Sequence, residues 1–458
     1  MAKGTKPIRK ITYVQLLLLH IGMAFAVYFL RASSTVFLIG SFTIFTFYVL
    51  AKGNKNNEVL YAAAYFTGAE VFFRMTGGAL LYETGKYAVI FFLLLGMFYR
   101  GTSLRSLPFW TYLFVLVPGI VFSAVNLNYE TNFRTAVIFN LSGPFCLGIA
   151  AIYMYFRKVQ REQLQQIFMV MLLPIVTTMV YLFVFTPSIR DALSGTQSNF
   201  QTSGGFGPNQ VATILGLGMF ILITRLFTIR DRLVNIIDLV LLFFMSYRAI
   251  VTFSRGGVIT AGICALFFLI FLYWTSNNKA KARLLPKVGI IVVGLIFTWL
   301  FTSIQTTGLI DYRYTNRDAA GRLKRDITTG RSDLISSELE AFYEKPLTGI
   351  GVGKIKEYRF EQSGTLAATH NEVSRLLSEH GVLGLAALML LFLTPLFYWF
   401  RQRHNPYLIA LFIFWFLTIN HSSMRLAAPA FIYGLSLLFV LNEKKKPRLH
   451  RQSPAQLG

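Results

Sequence analysis

The sequence predicts an all-α polytopic membrane protein, with about 12–14 transmembrane helices and one large, partly helical outer loop. Three observations carry this. Of 458 residues, 54% are hydrophobic and 14% charged, against roughly 45–50% and about 25% in soluble globular chains. The apolar residues fall in windows near the length a bilayer requires, about 20 residues. The cations gather in alternate short connections.

In chain order the windows are 11–30, 34–51, 59–73, 86–99, 106–124, 135–156 and 167–187, then 209–229, 234–252, 257–274, 286–303, 381–399, 407–420 and 426–441. Windows 59–73 and 86–99 are short, which sets the lower bound on the count. The first follows Lys3, Lys6, Arg9 and Lys10 and precedes no small-residue cleavage site, so it reads as a retained helix and not a signal peptide. With the N-terminus inside, the inner connections hold Lys52, Lys55, Arg100, Arg105, Arg157, Lys158 and Arg161. Further on they hold Arg225, Arg230, Arg232, Lys279, Lys281, Arg283, Lys287, Arg401 and Arg403. The tail adds Lys444, Lys445, Lys446, Arg448 and Arg451, so that 25 of the 44 basic residues fall on one side. Such asymmetry marks the cytoplasmic face. The net charge of +24 is then a topology signal whose partner is anionic lipid, and it calls for no nucleic acid. Cys146 and Cys264 each sit inside an apolar run, which excludes a disulfide framework and a cysteine metal site.

This reading divides the chain into helices over 1–303, a large outer loop over 304–380, further helices over 381–441 and a basic cytoplasmic tail over 442–458. The loop carries eleven basic and eleven acidic residues, and loops this long are uncommon unless structured or functional. Within it, RSDLISSELEAFYEKPL sets Leu334, Ile335, Leu339, Phe342 and Tyr343 on roughly one helical face, and Pro346 ends the helix.

ATHNEVSRLLSEHGVLG, from Ala368 to Gly384, has the capping-box spacing of Thr369 and Glu372. Thr369 then reads as the N-cap and His370 as the first helical residue. The positive end of the helix disfavours imidazolium, so His370 is either a neutral general base or a solvated histidine at a helix start. His380, at the far end, reads as a dipole-stabilised C-terminal residue. In VTFSRGGVITAG, Arg255 lies where two apolar windows meet, a depth at which ionisable residues mark function by default. The alternative is an arginine snorkelling to the interface. Arg248, seven residues earlier, makes a basic cluster possible. In TTGRSDL, Arg331 opens a helix against its dipole. That placement fits an anion held between the guanidinium and the helix amides, or a surface salt bridge to Asp333. In TSGGFGPNQVA, the glycines and Pro208 make a turn and Asn209 caps the next window. No Asp-x-Asp occurs, and TGIGVG at 348–353 lacks the strand–turn–helix context of a dinucleotide site.

GFGPNQVA at 205–212, SRGG at 254–257, GR at 330–331, KPLTGIGVG at 345–353 and HNEVSRLLSEHGVLG at 370–384, in this order, resemble the O-antigen ligase and polymerase superfamily of bacterial envelope glycan transferases. The resemblance covers roughly the second half of the chain. It implies a metal-independent, cofactor-free membrane glycosyltransferase of GT-C type in the bacterial inner membrane. Such an enzyme takes a glycan from undecaprenyl diphosphate at the periplasmic face. Arg255 and Arg331 would bind the diphosphate, and His370 would deprotonate an acceptor hydroxyl that attacks with inversion. Arg248, Asn209 and Asn371 join the candidate set as substrate-binding residues. The acceptor expected first is the lipid A core. A carrier-linked glycan (a polymerase) or a protein Ser or Thr (an oligosaccharyltransferase) are the alternatives, and the absence of sequence beyond the basic tail disfavours the last. Outside this class stands a secondary transporter. Against it, Glu70 and Asp238 are the acids that stand out in the windows, and no paired broken helices are evident.

Overall fold

The computed structural model describes residues 10–441 apart from 194, 325, 327, 329, 365 and 404. Lys3, Lys6, Arg9 and the basic tail, all part of the charge argument, lie outside the described residues. The fold is that of an all-α polytopic membrane protein. The first half comprises α1 (Lys10–Phe29), α2 (Ser33–Lys52), α3 (Val59–Met75), α4 (Thr84–Arg100), α5 (Leu107–Val115), α6 (Val117–Asn126), α7 (Phe133–Met154), α8 (Arg161–Phe185) and the short α9 (Ile189–Ala192). Then come α10 (Pro208–Thr228), α11 (Arg232–Ile250), α12 (Arg255–Thr275) and α13 (Asn278–Gln305). The outer segment holds α14 (Leu309–Tyr314), α15 (Arg331–Glu344), α16 (Ile355–Ser363) and α17 (Glu372–His380), and the chain returns through α18 (Val382–Trp399), α19 (Pro406–His421) and α20 (Ala427–Ser436).

Ten helical segments among the described residues are long and apolar enough to cross a bilayer. The short windows became α3 and α4, of 17 residues each. The window 106–124 is one segment in two pieces. Pro118 near the start of α6 has no N–H to give the preceding turn, so the helix breaks at Leu116. The last window is not helical throughout. After α20 the chain extends as β2 (Phe439–Leu441), which pairs in parallel with β1 (Lys158–Gln160) ahead of α8. Burial separates core from periphery: 89% of α10 and 78% of α8 are buried, against 11% of α13 and 17% of α2. The last two therefore face lipid.

Lipid tails are as apolar as leucine, so helices in a bilayer associate through close fit and internal polar pairs. Both occur here. Gly216 of α10 lies against Gly257 of α12, where an added Cβ would fall 2.3 Å from the Gly257 carbonyl oxygen. The two acids noted in the windows are both held internally. Asp238 pairs with Arg225 at 2.9 Å and accepts the Tyr13 hydroxyl, tying α11, α10 and α1. Glu70 pairs with Arg74 at 3.5 Å and accepts the Ala427 N–H at 2.6 Å, tying α3 to α20.

The outer segment is stitched to the first half by TGIGVG. Ile350 N–H donates to Ser378 O, Val352 N–H to Gly119 O of α6, and Ser123 Oγ to Val352 O. Gly351 has φ +96°, and a Cβ there would fall 2.8 Å from Ser123 N. Only glycine permits this thread between α6 and α17. The buried stripe of α15 differs from the expected one. Glu338 and Ala341 are buried while Tyr343 is 73% exposed. A carboxylate can take the inner position because Arg359 of α16 and Ser374 of α17 both donate to it.

Gly216→Ala is expected to lower the melting temperature in detergent by several degrees, as overpacking costs about 1–3 kcal/mol. Gly262→Ala, whose new methyl meets nothing within 4 Å, should leave it unchanged. Equal melting of the two variants would refute the close approach of α10 and α12.

Candidate active site

Three helix N-termini open on one cavity of about 560 Å³. Pro208 sets the start of α10 without spending an N–H. α12 begins at Arg255, behind Ser254 and the buried Phe253, whose φ of +58° is strained for a residue with a side chain. α15 begins at Arg331 behind Gly330, left-handed at φ +78°. Each N-terminus turns the positive end of its dipole toward the cavity. Asn209, Ser254, Arg255, Gly256, Arg313, Thr328 and Arg331 are among the residues that line it.

Arg313, which sequence reasoning missed, is the third arginine on this wall. It donates to Phe253 O at 2.9 Å and so holds the strained turn, and its own carbonyl accepts from Arg255 at 3.5 Å. Arg313 and Arg331 both have their pKa lowered, first by burial and then by neighbouring guanidiniums. Guanidiniums remain charged despite such shifts, so the cavity concentrates positive charge. No carboxylate lines it among the described residues.

Asn209 does not cap α10. It lies one residue inside the helix, after Pro208, and its side chain accepts from Ser254 Oγ at 2.7 Å, joining the first turns of α10 and α12. His421, at the end of α19, supports the same corner. Its Nε2 lies 3.2 Å from Thr213 Oγ1, and a Cβ on Gly256 would fall 2.4 Å from its ring. No sequence pattern pointed to His421, because α19 lies far along the chain.

The capping box is displaced. Asn371, not Thr369, is the N-cap of α17, accepting from Val373 N–H at 2.8 Å and Ser374 N–H at 3.2 Å. The Asn371 Oδ1 serves two amides of its own turn, and its Nδ2 donates to Asn420 Oδ1 at 3.0 Å. His370 therefore precedes the helix. It is half-buried, and its Nδ1 is buried with no hydrogen-bond partner among the described residues. Its pKa is lowered to about 4, by burial first and then by Arg425, Arg331, Arg359 and His421 around it. Its neutrality thus rests on desolvation and surrounding cations, a stronger cause than the helix dipole. His370 is not on the cavity wall, but it stands within electrostatic reach of Arg331. His380 does end α17, yet it is 1% exposed and burial lowers its pKa to about 3. It is neutral and packs on Gly119, with no charge for the dipole to stabilise.

Arg248 stands apart from the three arginines. It is 1% exposed, donates to Thr202 O at 2.9 Å and Thr186 O at 3.4 Å, and lies over the Phe183 ring. It lines a second, mostly apolar groove of about 1140 Å³ between α11 and α13. Ile250, Phe253 and Ile310 pack as a small cluster near the turn that follows it.

Residues 240–389 match the O-antigen ligase family, and this segment includes Arg248, Arg255, Arg313, Arg331, His370 and Asn371. An uncharacterized protein of Haemophilus influenzae is 30% identical over 167 residues, which are 33% of this chain and 41% of that protein. No solved structure matches the chain. The segment that carries the three arginines and the neutral histidine is the one that matches the O-antigen ligase family.

Proposed function

We propose that the protein is a membrane glycosyltransferase that moves a glycan from undecaprenyl diphosphate to an acceptor hydroxyl, at the periplasmic face of the bacterial inner membrane. The observation that carries this reading is the cavity on which Arg255, Arg313 and Arg331 converge at three helix N-termini. A lipid diphosphate is a compact polyanion, and arginine forks match its oxygens. With no carboxylate on the wall among the described residues to hold a divalent ion, the arginines meet that charge and the mechanism is metal-independent. The apolar groove that ends at Arg248 suits the polyprenyl chain. Cations of the inner connections face anionic lipid.

In the reaction His370 takes the proton of the acceptor hydroxyl. The oxygen forms its bond to the anomeric carbon as the bond from that carbon to the diphosphate breaks. The electron pair leaves on the diphosphate, where the guanidiniums stabilise the developing charge. Attack opposite the leaving group inverts the anomeric centre. The acceptor is the lipid A core, which makes the enzyme a ligase.

His370→Ala is expected to reduce transfer by roughly 10²–10⁴-fold at normal expression; near-normal turnover of purified enzyme would remove it as base. A base must be deprotonated, so activity is lost as pH falls through its pKa. With that pKa near 4, kcat/KM should stay level down to about pH 5, where an exposed histidine of pKa near 6.5 would already be mostly protonated. Arg255→Ala, Arg313→Ala and Arg331→Ala should each lower kcat/KM for the donor by roughly 10²–10³-fold; unchanged donor kinetics would exclude the diphosphate role. In a deletion strain, bare core on a lipopolysaccharide gel with long glycan retained on the carrier would establish the ligase. Core capped by a single repeat would instead mean a polymerase, and a normal ladder would overturn both.

A further inference from the structure

At the end of the bundle remote from the arginine cavity lies a third pocket, of about 820 Å³, between α11 and α13. The remoteness follows from the helices. Asn209, near the start of α10, lines the arginine cavity, and Leu226, near its end, lines this pocket. Seventeen residues of helix separate them by about 25 Å.

Five cations line the pocket. Arg230 and Arg232 come from the turn into α11. Lys279, Arg283 and Lys287 come from the first turns of α13, spaced four residues apart and so on one face of it. Lys287 is partly buried and donates to Leu226 O at 2.6 Å. The other four are exposed. No carboxylate lines the pocket among the described residues. Like charges drawn from two elements onto one concavity repel unless an anion sits between them. The floor is different in kind: Ile236 and Leu239 of α11 face Leu284, Ile290 and Ile291 of α13. This apolar wall continues along α11 and α13 beyond the cations, and further along the same pair Gly294 abuts the Phe243 ring. Cations at the membrane surface over an apolar slot between helices fit an anion that carries its own acyl chains.

We propose that this pocket binds one anionic phospholipid. The phosphodiester lies among Arg230, Lys279 and Arg283, and an acyl chain lies along Leu284 and Ile291. The site is separate from the transfer site and independent of which acceptor the enzyme uses.

The test is native mass spectrometry of the purified full-length protein, titrated with phosphatidylglycerol or phosphatidylcholine. The wild type should retain one phosphatidylglycerol on the order of tenfold more tightly than phosphatidylcholine. Combined Arg230→Gln, Lys279→Gln and Arg283→Gln should abolish that preference. Combined Lys52→Gln, Lys55→Gln and Lys158→Gln, which removes equal charge outside this pocket, should preserve it and controls for folding. Equal retention of both lipids by the wild type would overturn the proposal, as would an undiminished preference in the first triple variant. Displacement of the bound lipid by millimolar inorganic phosphate would also overturn it, making the pocket a phosphate site and not a lipid site.

Discussion

The outer half of the molecule hangs on the buried ion network of α17. Arg375 lies between Glu372 and Glu379 on one helical face, all three fully enclosed. Each carboxylate also reaches outward. Glu379 accepts the Gly353 N–H at 2.8 Å and Glu372 the Met424 N–H at 3.4 Å. One helix further out, Ser374 donates to Glu338, which pairs with Arg359, and Arg359 in turn donates to Leu334 O and Ala367 O. Buried ion pairs add little net stability, but removing one partner strands a charge and is severely destabilising. Their consequence here is register. The network sets where α15 begins, hence where Arg331 points, and how the chain enters α17, hence where His370 stands.

That rigidity matters because the cavity it frames gathers like charges. Three guanidiniums and three helix N-termini share one space, and burial together with mutual repulsion lowers the basicity of Arg313 and Arg331. A flexible segment would relax by letting the arginines swing into water. A segment pinned to α6, α7 and α17 cannot, so the positive field of the cavity is fixed by the fold. Burial and neighbouring cations lower the basicity of His370 in the same sense and keep its imidazole neutral.

The bilayer explains what lies elsewhere. Within it, acids are held by cations, as Asp238 is by Arg225 and Glu70 by Arg74. These groups pin helices and leave no chain of titratable carboxylates among the described spans of the kind that carries protons in transporters. Polar chemistry is pushed to the two ends, an arginine cavity at one and a lipid-facing basic pocket at the other.

Much of the fold was legible in the sequence because bilayer thickness imposes a length that composition reveals directly. Each apolar window holds a helix, and departures came where backbone chemistry intervened, at Pro118 and in the extended pairing of β2 with β1 that ends the last window. Arg255 and Arg331 were legible because a cation at membrane depth, or at the wrong end of a helix dipole, needs a reason. Arg313 and His421 were not, since nothing local distinguishes an arginine in a short amphipathic helix or a histidine ending an apolar one. The caps at Thr369 and Asn209 were misread because only the backbone angles decide at which residue a helix begins, and α10 starts behind Gly207 while α17 starts behind Asn371. The sequence by itself determined the class of molecule and singled out Arg255, Arg331 and His370 as residues whose placement needs a reason. The tertiary structure decided which of them share a cavity, since that depends on helix starts as far apart in the chain as Asn209 and Arg331 being held in register by buried charges.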